Sequence, residues 1–170
     1  MYGIPLYPPR ERIRRFGEAC EVIKLLWTET EANFDGKYYQ LKDARCEPKP
    51  IQKPYPPFVI GGSGEKLTLR IVAQYASIWN FVGGTVEDFR HKNEVLNQHC
   101  VTIGRDPTEI ERSIQWVANY DNLAETAAGM RPYIEAGATH IALNLRAPYP
   151  EHIVHKLVEE IVEPLNTEYH

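Results

Sequence analysis

The residues best suited to chemistry lie between Phe58 and Asn80, in the stretch FVIGGSGEKLTLRIVAQYASIWN. Gly61-Gly62-Ser63-Gly64 follows a short apolar run, Phe58-Val59-Ile60, and precedes Leu67, Ile71 and Tyr75 at helical spacing. A second apolar run, Ile78 to Val82, closes the unit, which reads as strand, glycine turn, helix, strand. At such a turn, unpaired amides and the positive end of the helix dipole point outward, an arrangement that suits phosphate or another anion. Glycine lets a ligand approach the backbone, and Ser63 adds a hydroxyl donor. The same four residues also fit a tight turn with no ligand. Lys66 either reaches an anionic group or is a surface lysine.

Trp79 and Asn80 fall at the carboxyl end of the second strand. Trp79 either stacks near a ligand or fills the core. His140 sits within an apolar strand and reads as a core histidine holding a hydrogen bond. His152 and His155 are three apart on the last helix, but no third ligand accompanies them, so no metal site is expected. His91 and His99 carry no recognisable chemistry. No Ser-His-Asp or Cys-His arrangement and no catalytic carboxylate pair can be argued from spacing. GGSGEK also lacks the G-x-x-x-x-G-K-[ST] spacing of a phosphate-gripping Walker loop.

The elements that must position these residues can be read along the chain. Ile13, Phe16, Cys20, Ile23 and Trp27 recur at spacings of three and four and predict a long amphipathic helix from Arg10. Asp35-Gly36, between Phe34 and Tyr38-Tyr39, predicts a β-hairpin whose glycine supplies a positive φ. Five prolines between Asp43 and Pro57 make a stiff connector. Thr85 and Asp88 predict a capping box opening a helix that ends at Gly104. Strands are expected at 58–61, 77–82, 113–117 and 139–143, and helices at 123–136 and 150–165, the last with Pro150 at its first position. Strict alternation of strand and helix implies a parallel sheet.

The 170 residues are enough for one domain, and 43% hydrophobic with 25% charged residues is ordinary for a globular protein. A net charge of −4 argues against a nucleic-acid surface. No apolar run approaches membrane-spanning length, and three widely spaced cysteines fit reduced thiols, so a cytoplasmic protein is expected.

The runs RIRRFGEACEVIKLLWTE (12–29) and FDGKYYQLKDARCEPKPIQKPYPPFVIGGSGEKLTLRIVAQYASIWN (34–80), followed by IGRDPTEIERSIQW (103–116) and EAGATHIAL (135–143), carry a resemblance. In this order they are similar to the bacterial luciferase-like flavin-dependent oxidoreductases, and most of all to the branch that uses the deazaflavin F420. Members of that family are complete (β/α)8 barrels, a fold that takes ~250 residues. The resemblance therefore implies a partial TIM barrel: a helix, hairpin and connector over 1–57, then the C-terminal four βα units over 58–170. It also implies FMN or F420 as cofactor, held by Gly61, Gly62, Ser63, Gly64, Trp79 and Asn80, and a small organic substrate. Catalytic residues of the other barrel half have no counterpart here and stay unassigned. Where the family commonly has Ala-Asp-Gly before Trp-Asn, this chain has Ala76-Ser77-Ile78.

Three functions are open on this reading. One is a luciferase-like oxidoreductase or monooxygenase. Another is a non-catalytic half-barrel that pairs with itself or with a separate complementing half. The third, an unrelated phosphate-binding domain, rests on the glycine turn alone, and the run 12–80 argues against it. Open strand edges predict that the isolated chain dimerises or aggregates.

Overall fold

The computed structural model describes Gly3 and residues 5–169. Helix α1 (Pro9–Thr28) opens the fold, with Pro9 at its first position, and is followed by the antiparallel hairpin β1 (Ala32–Asp35) and β2 (Gln40–Ala44). After the proline connector come β3 (Val59–Gly61), α2 (Thr68–Tyr75), β4 (Ile78–Phe81), α3 (Val86–Thr102), β5 (Glu111–Val117), α4 (Leu123–Glu135) and β6 (His140–Asn144). The C-terminal helix is divided into α5 (Ile153–Leu157), a wide π turn (Val158–Val162) and α6 (Glu163–Tyr169). The expected β-α alternation holds, and the four strands form one parallel sheet in the order β3-β4-β5-β6.

One face of this sheet is covered by helices. Ile60, Trp79, Phe81 and Ile114 point to that side and pack against Leu69, Val72, Phe89 and Leu96, all buried. Phe89 stacks on Trp79 with 5.8 Å between ring centroids, and Phe81 meets both rings edge-on. A second cluster joins Leu123, Ala127 and Met130 of α4 to Ile153, Leu157, Ile161 and Leu165. Arg112 enters the same side. Its guanidinium is buried and donates to Asn93 Oδ1 (2.8 Å), Asn97 Oδ1 (2.6 Å) and the carbonyls of Pro107 and Ile110. Burial holds its pKa below the usual value, with no carboxylate among these contacts to restore it.

Several local expectations are met. Thr85 and Asp88 form the reciprocal capping box, at 3.1 and 2.9 Å. Gly104 (φ +72°) ends α3 in a Schellman motif, with Arg105 N donating to Cys100 O and Gly104 N to Val101 O. Others are corrected. The hairpin loop spans four residues, and Gly36 serves space, not a positive φ. A Cβ there would lie 2.6 Å from Glu18 Oε2 and closer still to the Phe34 ring. Glu18 itself accepts the amides of Lys37, Tyr38 and Tyr39 at 3.1, 2.7 and 3.2 Å, so the hairpin hangs from α1. Ile23, expected on the packed face of α1, is exposed, while Cys20 and Val22 are buried. The last helix begins at Ile153 instead of Pro150, after His152 in a left-handed conformation (φ 57°). Its π turn precedes Pro164, which lacks the N–H a regular turn would place on Glu160 O and crowds that carbonyl.

Candidate functional site

The site is assembled where β3 ends and on the sheet face that no helix covers. Strand residues alternate between faces, so Gly61, Asn80, Ser113 and His140 share the uncovered side. The parallel register sets them in one row: Gly61 opposite Asn80, Asn80 opposite Ser113, Ser113 opposite His140.

The turn from Gly61 to Leu67 leads into α2. Gly62 takes φ +125°, which L side chains rarely adopt, and its N–H donates to Asn80 O at 3.2 Å. A Cβ on Gly62 would sit 3.0 Å from Thr68 Cγ2, and one on Gly64 would sit 2.9 Å from Thr68 Oγ1. Both glycines let the turn close down on buried Thr68. Gly61 is different, since a Cβ there would meet only ordinary contacts, the nearest being Val82 Cγ2 at 3.6 Å. Helix α2 has no side-chain cap. Among the described residues, the amides of Ser63 and Gly64 donate to no protein acceptor, and Ser63 Oγ is buried without a hydrogen-bond partner. A groove beside the turn is walled by Arg10 and Ile13 of α1, by Ser63, Gly64 and Lys66, and by Lys92 of α3. Two free amides, an orphaned hydroxyl and nearby cations form a donor set that fits a phosphate.

The turn is pinned from behind. Glu65 accepts hydrogen bonds from Lys92 Nζ and from His91 Nε2 (3.0 Å), and its carbonyl accepts from His99 Nε2 at 2.8 Å. Bonding to Lys92 and His91 holds the Glu65 carboxyl below its ordinary pKa. His91 and His99, silent in sequence, thus fix the turn to α3. Lys66 is exposed.

Of its two readings, Trp79 takes the core one. It is fully buried on the helix side, because adjacent strand residues point to opposite faces and Asn80 takes the uncovered one. Its link to the turn is indirect, through an indole N–H donated to Gly62 O at 2.8 Å. Asn80 is held from both sides: its Nδ2 donates to Ser113 Oγ (3.1 Å) and its Oδ1 accepts from Gln115 Nε2 (3.3 Å). His140 is also corrected. It is exposed on the uncovered face, not in the core, with Nδ1 2.8 Å from Ser113 Oγ. Ser113 and Gln115 were not singled out in the sequence, although the alternation of SIQWV places both on one side. His152 and His155 lie 6.2 Å apart between ring centroids, and no metal-holding cluster exists among the described residues. An apolar cavity lined by Met130, Ile134, Ile141, Leu143, Ile161 and Leu165 lies on the helix side of β6, away from this chemistry. No helix of the described residues is long and apolar enough to cross a membrane.

Comparison with known proteins shows the family and the fold. A family model described as luciferase-like monooxygenase matches residues 1–168. The FMNH(2)-dependent dimethylsulfone monooxygenase of Pseudomonas putida is 32% identical over 157 residues, covering 88% of this chain and 42% of its own length. The F420-dependent glucose-6-phosphate dehydrogenase of Segniliparus rotundus is 30% identical over 126 residues, 70% of this chain and 36% of its own length. The chain therefore spans about two fifths of these curated relatives. Among solved structures, an F420-dependent secondary alcohol dehydrogenase in complex with an F420-acetone adduct superposes with a TM-score of 0.76 at 17% identity. It covers 92% of this chain and 63% of its own. The long-chain alkane monooxygenase LadA gives 0.76 at 16% identity, over 98% of this chain and 58% of its own. These likenesses show the fold, a partial (β/α)8 barrel of four βα units. The match along 1–168 settles the family: this chain belongs to the luciferase-like monooxygenases.

Proposed function

We propose that this chain provides the phosphate-holding half of a flavin- or F420-dependent oxidoreductase or monooxygenase site. The observation that carries the reading is the unpaired donor set at the carboxyl end of β3: Ser63 Oγ, buried and unpartnered, beside the free amides of Ser63 and Gly64 in the turn that leads into α2. Barrel enzymes build their sites at this end of the strands. The family relatives include FMNH(2)- and F420-dependent enzymes, which makes reduced FMN or F420 the cofactor to test. Such a cofactor supplies the electrons or hydride for the reaction. The chain's residues would bind and orient it: Ser63 and Gly64 at the phosphate, Gly61 leaving room for close approach, Asn80 facing the ring side. Trp79 and the Glu65–Lys92 contact act as positioning groups. A small organic substrate would share the uncovered face.

That face needs a second wall. β3 and β6 have open edges, and Val59, Val82 and Val117 are exposed near the uncovered side. Five helical segments flank four strands here, because α1 covers β3 and the C-terminal helix covers β6. Two copies closing one barrel would bring ten helices to eight strands, whereas a barrel of eight βα units has eight. The completing piece is therefore better matched by four strands with three helices than by a second copy. Non-specific self-association through the open edges is expected when that piece is absent.

The test is to titrate FMN and F420 into the chain alone and into a mixture with a four-strand, three-helix piece of a relative. Weak binding alone and tighter binding by a one-to-one complex support the reading. No binding by the complex would end the cofactor assignment.

A further inference from the structure

The groove beside the phosphate turn continues past it. Ile13 and Leu67, which line it, also line a second groove that runs on between α1 and α2, where Arg14, Lys37 and Arg70 join the wall. Arg10 and Arg14 are one helical turn apart on α1, while Lys66 stands just before α2 and Arg70 lies in its first turn. The helices approach closely at Gly17, where a Cβ would lie 3.4 Å from Ile71 Cδ1. Cations from both elements thus border one path that starts at the turn.

The neighbouring carboxylates are already engaged. Glu11 pairs with Arg15 at 2.9 Å, Glu18 accepts three hairpin amides, and Glu65 is held by Lys92 and His91. Arg10, Arg14, Lys66 and Arg70 are exposed, and no carboxylate pairs with them among the described residues. Folding gains nothing from this placement. Arg10 and Arg70 sit in the first turns of their helices, where the dipole disfavours a cation, and Arg10 repels Arg14. The chain as a whole carries a charge of −4, so this path is a local reversal of sign that attracts anions.

We propose that the groove between α1 and α2 binds carboxylates that extend beyond the cofactor phosphate, with Arg14 and Arg70 as specificity-determining residues. The ligand class is a phosphate diester continued by a flexible chain of carboxylates, such as the glutamyl chain of F420. The phosphate of FMN is terminal and fills the turn alone. Arg10 and Arg14 are separated by about 6 Å along the helix axis, which offers successive contacts to a chain instead of one point for a single ion. The inference rests on the cofactor reading above and selects F420 over FMN within it.

The experiment titrates the full chain with F420, with the same deazaflavin phosphate lacking its carboxylate chain, and with FMN. Amide and arginine side-chain NMR signals report the contacts. All three ligands should shift the amides of Ser63 and Gly64, and only intact F420 should shift the Arg14 and Arg70 side chains. F420 should bind about tenfold more tightly than its chainless form, and that advantage should shrink as salt rises past about 0.1 M. Arg14→Gln combined with Arg70→Gln should remove the advantage and leave the affinities for FMN and the chainless form unchanged. The same loss of charge at Arg131 and Lys156, by substitution with Gln, should leave F420 binding at the parent level. Equal affinity for F420 and its chainless form, or a loss as large from the Arg131 and Lys156 pair, overturns the inference. Turn amides that saturate with F420 while Arg14 and Arg70 stay unmoved overturn it too, and leave the cofactor reading standing. Turn amides that respond to none of the three ligands end the cofactor reading and this inference together.

Discussion

The indole N–H of Trp79 donates to the carbonyl of Gly62 across 2.8 Å, joining the interior of one strand to the turn that follows its neighbour. Trp79 is wholly buried and stacked on Phe89, so it holds that carbonyl from a fixed position. The turn's shape is therefore set from the interior of the neighbouring strand, while its unpaired donors line the groove beside α1 and Lys92.

Trp79→Phe should keep most of the packing but leave Gly62 O unbonded. A loss of about 1–3 kcal/mol is expected in chemical denaturation, with weaker FMN binding. Trp79→Ala should cost about 3–5 kcal/mol. A Phe variant as stable as the parent would show that the hydrogen bond contributes nothing.

Neighbouring glycines should separate folding from binding. Gly62→Val combines a forbidden φ with a Cβ 3.0 Å from Thr68, and is expected to lose about 1–3 kcal/mol and all FMN binding. Gly61→Ala has room and should stay within about 0.5 kcal/mol of the parent. Its methyl group would still protrude on the uncovered face, so FMN affinity should fall while the melting temperature does not. Equal effects of both substitutions on melting would contradict the assigned roles.

Acid stability follows from three carboxyls. Glu65 is held low by Lys92 and His91, Asp88 by the Thr85 amide and hydroxyl, and Asp106 by the Thr108 amide. Folded values below the unfolded ones mean that this stabilisation is present above about pH 4 and disappears as pH falls through the folded values. The melting temperature should therefore be flat near neutrality and decline below about pH 4. Asp88→Asn should lower the plateau and make the acid decline shallower. An unchanged slope would exclude the capping box as a contributor.

How much of this was legible in sequence depended on range. The α3 capping box, the Gly104 stop and the four strands rest on residues near one another, and local pattern was enough. The faces of β4 were legible in principle, since adjacent Trp79 and Asn80 cannot point the same way in a strand. The Ser113–His140 contact was not. Those residues are 27 apart in sequence, and only the register of two parallel strands brings them together. Glu18 under the hairpin and His99 on the Glu65 carbonyl were hidden for the same reason, as contacts between elements whose packing no local periodicity encodes.

The cysteines should differ in reactivity. Burial pushes the Cys20 thiol up to about 11 and raises that of Cys100, and both side chains are inaccessible, whereas Cys46 is half-buried. Under native conditions near neutral pH, iodoacetamide should label Cys46 well before the other two, as read by peptide mass spectrometry. Early labelling of Cys20 would mean that α1 does not stay docked on β3.

The most direct test of the account is a comparison of FMN with riboflavin, which lacks the phosphate, by backbone amide NMR of the intact chain. FMN is expected to shift the amides of Ser63 and Gly64 in a saturable way and riboflavin to leave them nearly unmoved, because the turn meets the phosphate end. Equal shifts with riboflavin, or saturable FMN shifts confined to other parts of the chain, would contradict the assignment of this turn as the phosphate-holding element.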